Sequence, residues 1–188
     1  MPPPGLSDIF AGTENSTLTC STCKTQSVHA PSPMWIMSLE MEKCKTLQEC
    51  MARYFMEEEM KAVQEDATKS NQLKCRHCRE MRDGTKVLSL GTMPKVLVVH
   101  LKRFNAAGHK LCNAIAYPAQ LDLDMYVAGY TEVYPIYDLY GMVVHRGGTL
   151  QVGHYSAYVK ALEAKVLPLH NDQHWVHAND MLVAVCLD

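Results

Sequence analysis

Two short cysteine turns, Cys20-Ser21-Thr22-Cys23 and Cys75-Arg76-His77-Cys78, constrain this chain more than any other stretch. A CxxC turn points both sulfurs the same way, and two such turns supply the four thiolates of a closed tetrahedral site. The long gap from Cys23 to Cys75 puts the turns at the tips of separate hairpins and not in one compact ribbon. Four protein sulfurs leave no open position, so the expected ion, one zinc, is structural and not catalytic. His29 and His77 stand near the turns and could replace a sulfur, but the paired spacing favours the cysteines. With eight cysteines and no basic, apolar leader at Met1-Pro2-Pro3-Pro4-Gly5, a reducing compartment, cytoplasmic or nuclear, is expected.

A chain of 188 residues, 47% apolar, can bury one sizeable core and sits in the globular range. The net charge of −2 gives no electrostatic case for nucleic acid or an anionic membrane, and no stretch is long enough for a membrane span. Thr46 reads as a helix cap with Glu49 as its capping-box partner. Leu47, Cys50, Met51, Tyr54 and Phe55 follow at helical spacing. The rest is strand-like: one run over residues 34–41, another over 86–90, and the apolar run from Lys95 to Phe104, whose continuous centre suggests a middle strand buried on both faces. Residues 111–117, 136–145 and 181–186 read as further strands, Glu57-Glu58-Glu59 as a solvated end, residues 60–72 as a return loop and 164–173 as a connection.

Near the C-terminus, Gly153-His154-Tyr155-Ser156-Ala157-Tyr158 starts a strand on a glycine and a histidine, and Trp175-Val176-His177-Ala178 ends in Asn179-Asp180. A histidine with an amide or carboxylate to orient it makes two thirds of a nucleophilic triad. By residue type alone a strand histidine is more often structural, and His100, His109, His145, His170, His174 and His177 are read that way.

The order of these features changes the weighing. A CxxC pair, an amphipathic helix, a second CxxC pair and then Leu90 to Phe104 resemble the ubiquitin-specific protease family of deubiquitinases. So do Tyr117-Pro118 with Leu121-Asp122-Leu123, and Tyr137-Asp138-Leu139-Tyr140 leading to Val143-Val144-His145-Arg146-Gly147. Gly153 to Tyr158 is similar to that family's His box, and Trp175 to Asp180 to its closing motif. The resemblance spans about residues 9 to 188.

It implies an α+β fold: the strand-rich palm and zinc-tipped fingers of a papain-like cysteine peptidase. Residues 1–8 would be a loose tail, about 15–95 the fingers and about 96–188 the palm. His154 matches the general base, Asn179 its orienter and Asp180 the neighbouring acidic position. Gly147, Gly148, Gly153 and Tyr155 match the loop and strand start beside which the ubiquitin tail passes. Ubiquitin and ubiquitinated proteins are the implied partners, with hydrolysis of the (iso)peptide bond at the ubiquitin C-terminus as the chemistry.

Two departures matter. The family's nucleophilic cysteine lies on a thumb helix upstream of the fingers, so the thumb and its thiol are expected to be absent here and either encoded upstream or supplied by another chain. Cys44, Cys50, Cys112 and Cys186 lack the context of an activated thiol. Asn179 stands where aspartate is commoner, and it can orient an imidazole without stabilising its charge. The chain alone is therefore expected to be inactive and, with its thumb-facing surface uncovered, to self-associate. The alternatives are a catalytically inactive ubiquitin-binding or scaffold module and, less favoured by the acidic balance, a zinc-stapled nucleic-acid binder.

Overall fold

The computed structural model describes residues 5–63, 70–129, 136–149, 151–160 and 175–186. These residues are strand-rich with few helices and divide into two compact units. The first comprises Met1–Lys102, Ala114–Tyr117 and Leu121–Tyr137, and the second Arg103–Asn113, Pro118–Gln120 and Asp138–Asp188.

The first unit is built on β1 (Gly12–Cys20) and β8 (Gly84–Leu90), antiparallel from Glu14 opposite Leu90 to Cys20 opposite Gly84. β2 (Gln26–Val28) and β3 (Ser32–Met34) pair with the other edge of β1, and β5 (Glu58–Met60) with the other edge of β8. A short ladder joins β6 (Leu73–Lys74) to β7 (Met81–Arg82). β4 (Met37–Glu40) runs parallel to β9 (Val99–Lys102).

A helical turn, α1 (Ser7–Phe10), opens the described chain, so Ser7 and Asp8 are helical where a loose tail was expected. The helix α2 (Leu47–Tyr54) carries the expected capping box: the Glu49 N–H donates to Thr46 Oγ1, and the Glu49 carboxylate accepts from the Thr46 N–H. Its apolar stripe buries Leu47, Cys50 and Met51 in a core with Met37, Leu39, Met41, Phe55, Leu90, Ile115 and Leu123.

In the second unit β12 (Gly141–Arg146), β13 (His154–Lys160), β14 (Trp175–Asn179) and β15 (Leu182–Cys186) form an antiparallel sheet in chain order. Among the described residues of this unit, Ser156 is the one buried residue. The face bearing Val143, Tyr155, Val159 and Val183 is exposed. β10 (Gln120–Asp122) pairs with β11 (Ile136–Asp138), and a 3-10 turn of the first unit spans Asp124–Tyr126.

Several strands differ from their sequence patterns, for one recurring reason: a run changes its hydrogen-bonding partner partway. Residues 34–41 break at Trp35 and Ile36, because β3 lies on β1 while β4 lies on β9. The apolar run from Lys95 is no buried middle strand. The Val96 N–H donates to Ile9 O, Val98 O accepts from the Met37 N–H, and only Val99–Lys102 joins a ladder, with a single partner. Residues 111–117 form no strand either: the Leu111 N–H goes to Arg103 O and the Ala116 N–H to Lys45 O, two different elements in succession. Residues 136–145 divide at Leu139 and Tyr140 into β11 and β12. Glu58 and Glu59 are exposed as expected, yet their backbone forms edge strand β5, where Glu58 lies 3.5 Å from Lys86. Within residues 60–72, the Asn71 N–H reaches Lys61 O, as a return loop requires, while 64–69 fall outside the described residues. The connection over 164–173, with His170, and His174 also lie outside them.

Candidate functional site

Two sites emerge, one in each unit. In the first, β1 delivers Cys20 at its end and β6 leads directly into Cys75. The two turns then repeat one backbone pattern. The Lys24 N–H donates to Cys20 O and the Arg79 N–H to Cys75 O; the Cys20 N–H reaches Thr25 O and the Cys75 N–H reaches Glu80 O. Lys24 and Arg79, each one residue past the second cysteine, both take the left-handed conformation, with φ of 58° and 60°.

All four Sγ atoms lie within 4.8 Å of one another, and Cys23 and Cys75 are 3.5 Å apart. A tetrahedral zinc with bonds near 2.3 Å would set its sulfurs about 3.8 Å apart. Neither His29 nor His77 belongs to this group. The Thr25 hydroxyl, 3.3 Å from Cys23 Sγ, leads in drawing that thiol down to about 6. The contact with Cys23 leads in pushing Cys78 up to about 12, and Cys20 is lowered, led by the Cys23 backbone. Thiols this crowded cannot all ionise without a cation among them, so the donor set suits a thiophilic metal ion.

The left-handed residues supply a test of the turn geometry. That conformation costs an L-residue roughly 1–2 kcal/mol, and glycine's greater freedom when unfolded returns about 0.5–1 kcal/mol of the gain. Lys24→Gly and Arg79→Gly are each expected to stabilise the metal-loaded chain by about 0.5–1 kcal/mol. A lower urea midpoint for both would show that these turns are held differently.

The second site lies at one end of the β12–β15 sheet. β13 begins at His154, opposite Arg146 on β12, and β14 ends at Asn179, opposite Leu182 on β15. His154 Nε2 is hydrogen-bonded to Asn179 Oδ1. Because an amide oxygen only accepts, Nε2 carries the proton and Nδ1 is left with its lone pair. Among the described residues Nδ1 has no partner, and the ring is partly exposed. Asp180 turns the chain into β15 at φ 49°, and its Oδ2 stands 3.9 Å from His154 Nε2, beyond a hydrogen bond but close enough for charge to act. An imidazole so held can take a proton at Nδ1 from a group placed beside it.

The loop between β12 and β13 is pinned from outside the motif. Lys110 Nζ donates to the carbonyl oxygens of His145 (2.9 Å) and Gly147 (2.7 Å) and lies 3.3 Å from His145 Nδ1. The His145 ring lies against Gly153, where a β-carbon would fall 1.8 Å from Nε2, so no side chain fits at position 153 without moving that ring. The ring also packs on Tyr155, centroids 4.7 Å apart. Gly148 has open space around it and Tyr155 is exposed. Sequence reasoning missed Lys110, which no spacing rule ties to a loop 35 residues on. His145, read there as structural, has this packing role.

Of the remaining cysteines, Cys44 and Cys50 are buried, and burial leads in pushing Cys50 up to about 11. No described helix is long and apolar enough to cross a membrane.

Comparison with known proteins fits this arrangement. The family model described as ubiquitin carboxyl-terminal hydrolase matches residues 2–188. The chain is 28% identical to the ubiquitin carboxyl-terminal hydrolase nonstop of Drosophila melanogaster, over 96% of its own length and 35% of that protein's. It is 36% identical to ubiquitin carboxyl-terminal hydrolase 2 of Gallus gallus, over 83% of its length and 43% of that protein's. Among solved structures, the SAGA DUB module Ubp8/Sgf11/Sus1/Sgf73 with a substituted Ubp8, bound to monoubiquitin, superposes with a TM-score of 0.78 at 29% identity, covering 96% of this chain and 38% of that one. The same module bound to ubiquitin aldehyde gives 0.77 at 26% identity, covering 97% of this chain and 38% of that one. The chain thus spans between a third and a half of the length of these proteins.

Proposed function

Because the chain belongs to the ubiquitin carboxyl-terminal hydrolase family, we propose that it supplies the metal-tipped, base-bearing part of a cysteine-type deubiquitinase, working in the cytoplasm or nucleus. The observation that carries this reading is the hydrogen bond from His154 Nε2 to Asn179 Oδ1, which leaves Nδ1 as a base.

The chemistry follows from that tautomer. Nδ1 of His154 takes the proton of a cysteine thiol, and the thiolate attacks the carbonyl carbon of ubiquitin's terminal glycine. The tetrahedral intermediate collapses, the C–N bond breaks, and the leaving lysine amine receives the proton from His154. Water, deprotonated by the same Nδ1, then cleaves the thioester and regenerates the thiol. Asn179 holds the ring through Nε2, and Asp180 adds negative charge that favours the transient imidazolium. Gly147, Gly148, Gly153 and Tyr155 border the passage for the ubiquitin tail. Cys20, Cys23, Cys75 and Cys78 would hold one structural zinc, which supplies rigidity to the finger tips and no catalytic step.

The thiol we assign to a family segment outside this sequence, since Cys44 and Cys50 lie buried in the first unit and burial pushes the Cys50 thiol up. Ubiquitin as partner is supported by the solved modules that this chain resembles, which hold it. Ubiquitin carrying a C-terminal vinyl sulfone separates the outcomes. The chain alone should bind ubiquitin saturably and stay unlabelled, and fusion to a family segment bearing the cysteine should produce labelling. A correctly folded fusion that binds ubiquitin and still resists the probe would reduce the chain to a binding module.

A further inference from the structure

Two strand positions past His154, on the same face of β13, the Ser156 hydroxyl is buried and has no hydrogen-bond partner among the described residues; the side chain is only 7% exposed. Buried hydroxyls are rarely left so, and each such case calls for an explanation. The register offers one. Ala157 pairs with Ala178, so one step beyond them Ser156 stands opposite Asn179. Directly opposed side chains share a face and lie about 4.5–5.5 Å apart at Cβ, within reach of a hydroxyl and an amide or of one bridging water. His177 Nε2, also buried without a partner, is a diagonal neighbour and farther from Ser156.

Asn179 has a problem that an aspartate would not. Its amide can present either end to the imidazole, and the two ends demand opposite tautomers. With Oδ1 toward His154, Nε2 is protonated and Nδ1 is basic. With Nδ2 toward His154, Nε2 must accept, the proton moves to Nδ1, and the base is lost. Asn179 Oδ1 is engaged by His154; among the described residues no hydrogen bond from Nδ2 accompanies it. From these placements we infer that Ser156 is a positioning residue: its hydroxyl oxygen accepts from Asn179 Nδ2–H, directly or through one water, and so fixes which end of the amide faces His154. The inference rests on the His154–Asn179 reading above and explains how an asparagine serves there.

The test reads the tautomer itself and needs no turnover. In the metal-loaded 188-residue chain with 15N-labelled histidine, at about pH 8 where an ordinary imidazole is neutral, the 15N shifts of His154 should report mainly Nε2–H. Ser156→Ala is expected to lower the ratio of Nε2–H to Nδ1–H by about fivefold, the worth of one ordinary hydrogen bond. Ser156→Thr, which keeps the hydroxyl, should restore it. Should Ser156→Ala disturb the amide shifts of β12–β15, the near-isosteric Ser156→Cys, a weak acceptor, gives the same readout. A ratio unchanged in Ser156→Ala, or in its Cys replacement, overturns the inference. Asn179→Ala keeps the two readings apart. If it shifts the ratio while loss of the Ser156 hydroxyl does not, only the role of Ser156 falls; if it too changes nothing, the His154–Asn179 reading falls as well.

Discussion

Stripping the metal from Cys20, Cys23, Cys75 and Cys78 is expected to melt the end of the first unit that they close. The small cluster there consists of Cys20, Leu73 and Cys75 at its centre, ringed by Leu18, Cys23, Met60 and Cys78. Four of these seven side chains are the candidate ligands themselves, which leaves three apolar residues to hold the end without an ion. β6 and β7 add only two residues each, far short of an independently stable hairpin. A structural zinc contributes about 10–16 kcal/mol of apparent binding energy in small folds, as much as the whole stability of an ordinary domain, about 5–15 kcal/mol. Even a third of that, lost on chelation, would lower the melting temperature by about 7–20 °C for a chain of this size. Scanning calorimetry with and without a zinc chelator checks it, and added zinc should restore the transition. Cys75→Ser should behave like the chelated protein. An unchanged melting temperature after verified metal loss would mean that the cysteines are a reduced apolar cluster and no more.

The second large effect belongs to His154. In a fusion or complex that carries the thiol, His154→Gln removes the proton acceptor and should lower kcat for a fluorogenic ubiquitin substrate by about 10²–10⁴. KM should change little, since the ring contributes to the transition state more than to binding. Asn179→Ala should lower kcat in the same direction by releasing the ring and its tautomer, whose misassignment costs about 10⁴ in a well-studied serine protease triad. Asn179→Asp should keep or raise kcat, because a carboxylate accepts the same Nε2–H and also favours the imidazolium. Equal turnover in His154→Gln and the parent would remove the imidazole from the mechanism.

Both sites were visible in the chain as text, because each is encoded locally. A CxxC turn needs only its own residues and the left-handed one that follows, and the symmetry of the two turns repeats in space. His154 and Asn179 begin and end strands whose alternation is readable, so their meeting follows once β13 and β14 pair. The capping box at Thr46 and Glu49 is equally local. Strand partnership is a different matter. Hydrophobicity shows that residues 95–104 want cover, not that the backbone of Val96 bonds to Ile9 before Val99 joins β4. Lys110 was illegible for the same reason: its role exists only after the fold carries it to the carbonyls of His145 and Gly147.

The fit of the His145 ring on Gly153 bears on strand alignment. Sliding β13 by one residue against β12 would bring Val152 or His154 to the place that admits no β-carbon beside that ring. With β14 held in place, the slip would also turn His154 to the opposite face from Asn179, since strand side chains alternate. The bare α-carbon thus acts as an index mark: the misaligned hairpin that would part His154 from Asn179 is the same one that its neighbour's ring forbids.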